Sequence, residues 1–428
     1  MRNWKAWLGA GLLVLLGGTG VALTAELRRI TAGILAAPAA GRADPADDHE
    51  CCLPNEGLKV PFKDEVSISY VTRGTNPAAW EALKSFWNEG TEKAIDPKTN
   101  TEVERKAVKL KLPLGLNSPP PVPTENPLTV QKWKLGKALY FDPILSSDRT
   151  VSCATCHDPA KGYTDQATHS IGIRGNKGGI SAPTVLNSAY HVFQFWDGRA
   201  SSLEDQSQGP PQNALEMFDG DGHAWRKVVE RVRGEPGLVK QFQAVFGTPP
   251  TRDAIAKAIA AYERTVFSGN STHDRAEQAM RDRVAKAAAD GESVKPEVSA
   301  ADYLGVLKAA FDQKDAVALK ALKLDDPSKA DEAAKRLANG RSLFFGKARC
   351  NACHVGENFT DNTFHNLGVG ARDGEISAKQ AGRYAALPPG HKNPEFFGAF
   401  KTPTLRHLVG TAPFMHDGGE KSLDEVVE

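Results

Sequence analysis

Apolar residues fall into distinct patterns along this chain. From Ala6 to Ala25 the residues Leu8, Leu12, Leu13, Val14, Leu15, Leu16, Val21 and Leu23 crowd together after the basic pair Arg2 and Lys5. Such a run predicts export. It is near the roughly 20 residues that span a bilayer, so a signal peptide cleaved near Leu23-Thr24-Ala25 and an uncleaved membrane anchor both fit. A buried core helix is the weaker reading for a run this apolar at an N-terminus. Farther on, apolar positions recur at helical spacing. Val130, Trp133 and Leu135 mark one helix, and Ala334, Leu337 and Leu343 mark another. Ile255, Ile259, Tyr262 and Val266 share one face of a helix expected from Thr251 to Phe267. Residues 276–328 are rich in Ala, Lys, Asp and Glu with few large apolar side chains, which predicts an inserted, mostly helical, solvated segment. The proline-dense stretch Ser118 to Pro127 reads as an extended linker. From Glu26 to that linker the periodicity is too weak to assign an element.

The chain repeats itself. Gly136-Lys137-Ala138-Leu139-Tyr140-Phe141 matches Gly340-Arg341-Ser342-Leu343-Phe344-Phe345. Tyr163-Thr164-Asp165 with His169, Ile171, Gly172 and Ile173 matches Phe359-Thr360-Asp361 with His365, Leu367, Gly368 and Val369. Pro183-Thr184, Asp197-Gly198 and Leu203 correspond at constant spacing to Pro403-Thr404, Asp417-Gly418 and Leu423. Trp196 therefore has His416 as its partner in the repeat, and Phe195 has Met415, which reads as core. Glu428 corresponds to Gln208, so a closing helix for the second copy is expected beyond Glu428.

Composition narrows the function classes. With 53 Lys plus Arg against 52 Asp plus Glu there is no net field to attract nucleic acid, and 428 residues imply two or three domains. The six cysteines carry the chemistry. Cys153-Ala154-Thr155-Cys156-His157 and Cys350-Asn351-Ala352-Cys353-His354 are each Cys-x-x-Cys-His, the attachment pattern of c-type haem. Two thiols on one turn can form thioethers to a single porphyrin, and the next residue is then placed to ligate its iron. His157 and His354 are thus the expected iron ligands. A zinc site or a redox dithiol would also use such pairs, but neither explains a histidine after both in an exported chain. For the adjacent Cys51 and Cys52, a partner thiol or an idle pair fits better than a catalytic site.

From Thr129 to Glu428 the chain resembles the bacterial di-haem cytochrome c peroxidases and their methylamine-utilisation, MauG-like relatives. The likeness rests on Gly136 to Phe141 with Asp142-Pro143, both haem motifs, Ala182-Pro183-Thr184, Gln194 to Ala200, Gln212-Asn213 with Glu216-Met217, and Thr411-Ala412-Pro413 leading to His416-Asp417-Gly418. It implies a mainly α fold of two tandem cytochrome c-type domains, each around one covalently bound haem. The expected layout is residues 1–25 as export signal or anchor, 26–128 as extension and linker, 129–275 as the peroxidatic domain, 276–328 as the insertion and 329–428 as the electron-transfer domain. The resemblance makes the His157 haem the site of peroxide reduction and the His354 haem an electron relay. It implies Glu216 as the acid/base, Gln206 and Pro210 in the pocket, and Trp196 between the haems.

Three positions depart from the family. The histidine that blocks the resting peroxidatic iron in the classical peroxidases is Ile173 here, with His169 four residues earlier as a rival ligand. His169 is expected to share a structural role with His365 instead. The asparagine associated with an inter-domain calcium is Ser181, which weakens the expectation of calcium although Thr411 and Pro413 retain carbonyl oxygens. The second distal ligand, methionine in the peroxidases and tyrosine in the MauG-like enzymes, is expected beyond Glu428. The leading expectation is a periplasmic hydrogen peroxide reductase fed by a small cytochrome c or cupredoxin. Peroxide-dependent oxidation of a partner protein is the alternative enzyme, and a plain electron-transfer cytochrome the non-catalytic one.

Overall fold

The computed structural model describes residues 59–428 apart from Asp221, Arg372 and Gly374. The apolar run at 6–25 and the Cys51-Cys52 pair lie outside the described residues. The long helices are α1 (Val130–Phe141), α2 (Ala224–Arg233), α3 (Pro236–Phe246), α4 (Arg252–Glu263), α5 (Thr272–Ala289), α6 (Ala300–Asp312) and α7 (Ala330–Phe345), with shorter helical turns between them. The described residues are mainly α, as the family resemblance implies.

Local chemistry explains where these helices begin and end. Thr129 caps α1 by accepting a hydrogen bond from the Lys132 amide, and Pro143 just past Asp142 prevents its continuation. Thr251 caps α4 in the same way through the Ala254 amide. Both helices bury the faces read from the sequence. Leu135 and Leu139 on α1 meet Ile255, Ala258 and Ile259 on α4, and Trp225, Val228, Val232 and Phe242 of α2 and α3 close this core.

The two helices touch at one point where no side chain fits. Gly136 lies against the Ala258 carbonyl, so a Cβ there would overlap the backbone of α4. Its counterpart Gly340 on α7 has nothing nearby.

The segment after α4 differs from its expected solvated state. Its helices α5 and α6 bury Ala276, Met280, Tyr303 and Leu307 against Ala330, Ala333 and Ala334 of α7. Its large residues, such as Met280, Tyr303 and Leu307, are spread thinly among alanines and charges, which is why this second core is faint in the sequence. The Asp274 carboxylate caps α5 and is also paired in the interior with Arg406 at 2.8 Å.

A three-stranded sheet precedes α1. Strands β1 (Ser67–Val71) and β2 (Trp87–Ile95) flank β3 (Glu102–Lys111), parallel on one side and antiparallel on the other. Ile68, Val108 and Leu110 face Leu128, Val130 and Ala261, so the sheet seals one side of the α1–α4 pair. The stretch Ser118 to Pro127 carries neither helix nor strand.

The two halves of the repeat share a series of backbone features between 183–207 and 403–427. Asn187 and His407 are both left-handed, as are Phe195 and Met415, and Gly198 and Gly418. The Gln194–Ala200 bridge recurs as Phe414–Glu420. Ser202 and Ser422 each cap a short helix, at Leu203–Gln206 and Leu423–Val427.

These contacts set up a paired stability test. Gly136→Ala is expected to cost about 1–3 kcal/mol by forcing α1 off α4, whereas Gly340→Ala should be neutral or add up to about 1 kcal/mol from helix propensity. Denaturant unfolding of the two variants checks this, and equal destabilisation would contradict it.

Candidate active site

The two Cys-x-x-Cys-His segments each form a tight turn. At the first, Cys153–Cys156 is a single helical turn, the His157 amide bonds the Cys153 carbonyl at 3.0 Å, and the Tyr140 hydroxyl holds the His157 carbonyl at 2.9 Å. At the second, the His354 amide bonds the Cys350 carbonyl, also at 3.0 Å. None of the four cysteines is in a disulfide.

Both histidines are oriented by the same device. His157 Nδ1 is 3.3 Å from the Tyr163 carbonyl, and His354 Nδ1 is 2.9 Å from the Phe359 carbonyl. A carbonyl can only accept, so Nδ1 carries a proton in each ring and Nε2 is the atom that would ligate iron. Burial lowers the pKa of His157, which favours the neutral, ligating form. The donor set fits a haem at each turn.

His157, Cys153 and Cys156 open onto a cavity of about 420 Å³ whose other walls include Trp196, Gln206 and Glu216. Pro210 lines it as well. Gln206 ends the short Leu203–Gln206 helix. Glu216 lies just past a turn at Asn213, whose carbonyl accepts from the Glu216, Met217 and Phe218 amides. The Asn213 side chain donates to Glu216 Oε1 at 2.6 Å. Burial raises the Glu216 pKa, opposed by the charge of Arg199 and by the Asn213 bond. A carboxyl held in that balance holds its proton more tightly than an exposed glutamate and can exchange it with a bound group.

The loop at 172–173 clamps Glu216 from behind. Gly172 packs on the Leu215 and Glu216 carbonyls with no room for a Cβ, and the Ile173 amide donates to the Glu216 carbonyl at 3.0 Å. The Ile173 side chain is fully buried in the core and does not line the cavity. His169 also stays off the cavity wall. Its expected shared role with His365 does not hold. His365 Nε2 bonds Asp361 at 2.7 Å, whereas His169 Nδ1 is buried without a hydrogen-bond partner.

Trp196 and its repeat partner meet. Their rings lie 6.4 Å apart in an edge-on arrangement, and His416 stacks on Phe400 at 3.5 Å. Main-chain bonds exchange reciprocally around them: Lys401 donates to the Trp196 carbonyl and Ser181 to the His416 carbonyl, both at 2.8 Å. Ser181 also accepts from Trp196 Nε1 at 3.0 Å, and its hydroxyl faces the Ala167 carbonyl. Met415 takes the left-handed backbone of Phe195, whose ring is covered by Arg199 at 3.5 Å.

Sequence reasoning missed an ionisable residue of this cavity. Glu263 on α4 lines the same space. The available signal was its position four residues after Ile259, on the apolar face of the helix.

A mainly helical chain with two haem-type cysteine-histidine turns, one of them opening on a cavity with a buried carboxyl, defines a haem redox protein. The model of the di-haem cytochrome c peroxidase family matches residues 130–282. The methylamine utilisation protein MauG of Methylorubrum extorquens is 34% identical over 310 residues, covering 72% of this chain and 70% of the relative. The cytochrome c551 peroxidase of Nitrosomonas europaea is 32% identical over 310 residues, covering 72% and 75%. The crystal structure of a MauG-like protein associated with microbial copper homeostasis matches with a TM-score of 0.54 at 28% identity, over 72% of this chain and 79% of that one. The chain belongs to the di-haem cytochrome c peroxidase and MauG family and is a peroxidase-type oxidoreductase. Membership implies two haems.

Removing the Asn213 side chain deletes a bond that stabilises the charged form of Glu216. Asn213→Ala should therefore move the Glu216 titration upward in pH. Infrared titration of the carboxyl band, assigned by its loss in Glu216→Gln, checks the direction, and a downward shift would refute it.

Proposed function

We propose that the chain is an exported, periplasmic enzyme that reduces hydrogen peroxide to water at a haem held by His157. Electrons reach it from a small cytochrome c or cupredoxin through a haem held by His354 and through Trp196. In this reading the two haems are covalently attached, at Cys153 with Cys156 and at Cys350 with Cys353. They sit in tandem cytochrome c-type domains at 129–275 and 329–428, separated by the insertion at 276–328 and preceded by the extension at 26–128. Residues 1–25 direct export, as a cleaved signal or an inner-membrane anchor.

The observation that carries the proposal is the cavity beside His157, with Glu216, Gln206 and Trp196 on its walls. A haem held there by His157, Cys153 and Cys156 would supply the one-electron iron chemistry that peroxide reduction needs. Glu216 takes the proton from the near oxygen of peroxide and returns it to the departing oxygen, so that the O–O bond breaks without creating a bare hydroxide. Burial suits it to that work by lifting its pKa toward neutrality. The Gln206 amide can donate to peroxide or to its water. Ile173 is held in the core, off the cavity wall, and has no atom that could ligate iron.

The likeness to MauG, as high as that to the peroxidases, supports a second reading in which peroxide equivalents oxidise residues of a partner protein. The two differ in electron source. A reduced cytochrome c or cupredoxin oxidised in step with peroxide supports the first. A plain electron-transfer cytochrome would make no use of Glu216.

Mass spectrometry of protein matured with its haem-attachment machinery should show two covalent haem additions, and fewer than two would contradict the attachment sites. Glu216→Gln should retain both haems but lose turnover by roughly two to four orders of magnitude. Turnover within about threefold of the parent, against that range, would remove Glu216 from the mechanism. Electron paramagnetic resonance of the fully oxidised protein should show a high-spin or water-ligated haem at His157 that reacts with peroxide without prior reduction. A purely low-spin spectrum with no reaction until one electron is added would show the position closed.

A further inference from the structure

A second buried carboxyl in the cavity has no assigned role. Asp197 on the cavity wall is paired with Arg199 at 3.1 Å, and Glu216 is bonded by Asn213 at 2.6 Å. Glu263 is different. Its residue is 5% exposed, and Oε2 is buried without a hydrogen-bond partner.

The cation next to it in sequence does not serve it. Arg264 points its guanidinium at Glu204, making bonds of 2.6 and 2.7 Å to the two carboxylate oxygens. The other groups around Glu263 add no positive charge within bonding reach. From α1 comes Tyr140, and from α4 itself Tyr262, which bonds the Tyr163 hydroxyl at 3.1 Å; burial raises the pKa of both Tyr140 and Tyr262. From the first cysteine turn comes Cys153, a thioether once haem is attached, and across the cavity lie Glu216, Arg199 and His157. An unpaired carboxylate in such surroundings is costly, and a neutral acid is far less so. Burial accordingly pushes the Glu263 pKa up to about 8.

We propose that Glu263 is a proton-binding site of the haem cavity, taking up one proton when the haem held by His157 gains an electron and releasing it on oxidation. This rests on the reading that a haem occupies that cavity. The step balances: ferric haem, the Glu263 carboxylate, one electron from a one-electron donor and one proton from solvent give ferrous haem and the Glu263 carboxylic acid. No other bond changes.

The sign follows from charge. Ferric haem carries one more positive charge than ferrous haem, and that charge favours the carboxylate. Glu263 therefore binds its proton more tightly in the reduced state, and the oxidised state releases it at lower pH. Between those two values the reduction potential should fall by about 59 mV per pH unit, a tenfold change in proton activity converted for one electron. Outside that interval it should be flat.

The test is spectroelectrochemical titration of the holoprotein, followed at the His157 haem, across a series of pH values either side of neutrality. The parent should show the slope, Glu263→Gln should be flat through the interval, and Glu216→Gln should keep the slope. A flat parent, or an unchanged slope in Glu263→Gln, overturns the proposal. Infrared difference spectra of the parent give a reading that needs no variant. Reduction within the interval should produce the carbonyl stretch of a newly protonated carboxylic acid, and its absence would also overturn the proposal. If Glu263→Gln does not mature, Glu263→Asp keeps a carboxyl and should retain a slope with a displaced interval; a flat response in it counts against the proposal. Haem on the Cys153–His157 peptide with a pH-independent potential defeats this inference alone, whereas no haem there defeats the functional reading beneath it.

Discussion

The reciprocal exchange of main-chain hydrogen bonds between the two halves of the repeat sets the geometry of the centre. Lys401 gives its amide to Trp196 and Ser181 gives its own to His416 at the same 2.8 Å, and Ser181 and Lys401 occupy equivalent places in the repeat. An exchange of this kind is the intramolecular form of an isologous interface, in which each side presents the same surface to the other. Equivalent positions must then face each other, whatever side chains they carry. Trp196 meets His416 for that reason. A symmetric backbone thus holds asymmetric chemistry, an indole on one side and an imidazole stacked on Phe400 on the other.

The same backbone economy governs the cavity. Polar side chains buried on the inner face of α4 need partners or must give up their charge. Arg264 and Glu204 satisfy each other. Glu263 has no such partner for its buried oxygen, and Glu216 has only a neutral amide and a distant guanidinium. Two carboxyls with raised proton affinity thus share one cavity, and the unpartnered one, Glu263, responds to charge arriving there. The clamp of Gly172 and Ile173 on the Glu216 backbone fixes one of them in position.

Some of this was legible before any coordinate. The spacing of Cys153, Cys156 and His157, and of Cys350, Cys353 and His354, is set by covalent geometry on a single turn and needs no tertiary context. The helices α1 and α4 announce themselves because one face is consistently apolar and Thr129 and Thr251 stand at their starts. The sheet was not legible. Its central strand does alternate Val108 and Leu110 with Lys109 and Lys111, but β1 pairs with it from far along the chain, and charged residues interrupt β2. The helices after α4 read as solvated because their large apolar residues are few and spaced among alanines and charges, although together they form a core.

By itself the sequence determined the chemistry that depends on neighbours in the chain: the haem-type turns, the repeat and the helices that frame them. Only the tertiary structure decided which polar groups lie in a dry interior. His169 and His365 are equivalent in sequence, yet His365 is paired with Asp361 and His169 Nδ1 has no partner. Ile173 could have faced the cavity and instead fills the core. Glu263 looks like any helical glutamate until α1 and the cysteine turn close over it. The physical reason is common to all three. Local preference depends on the residue and its near neighbours, whereas desolvation depends on what arrives from elsewhere in the chain.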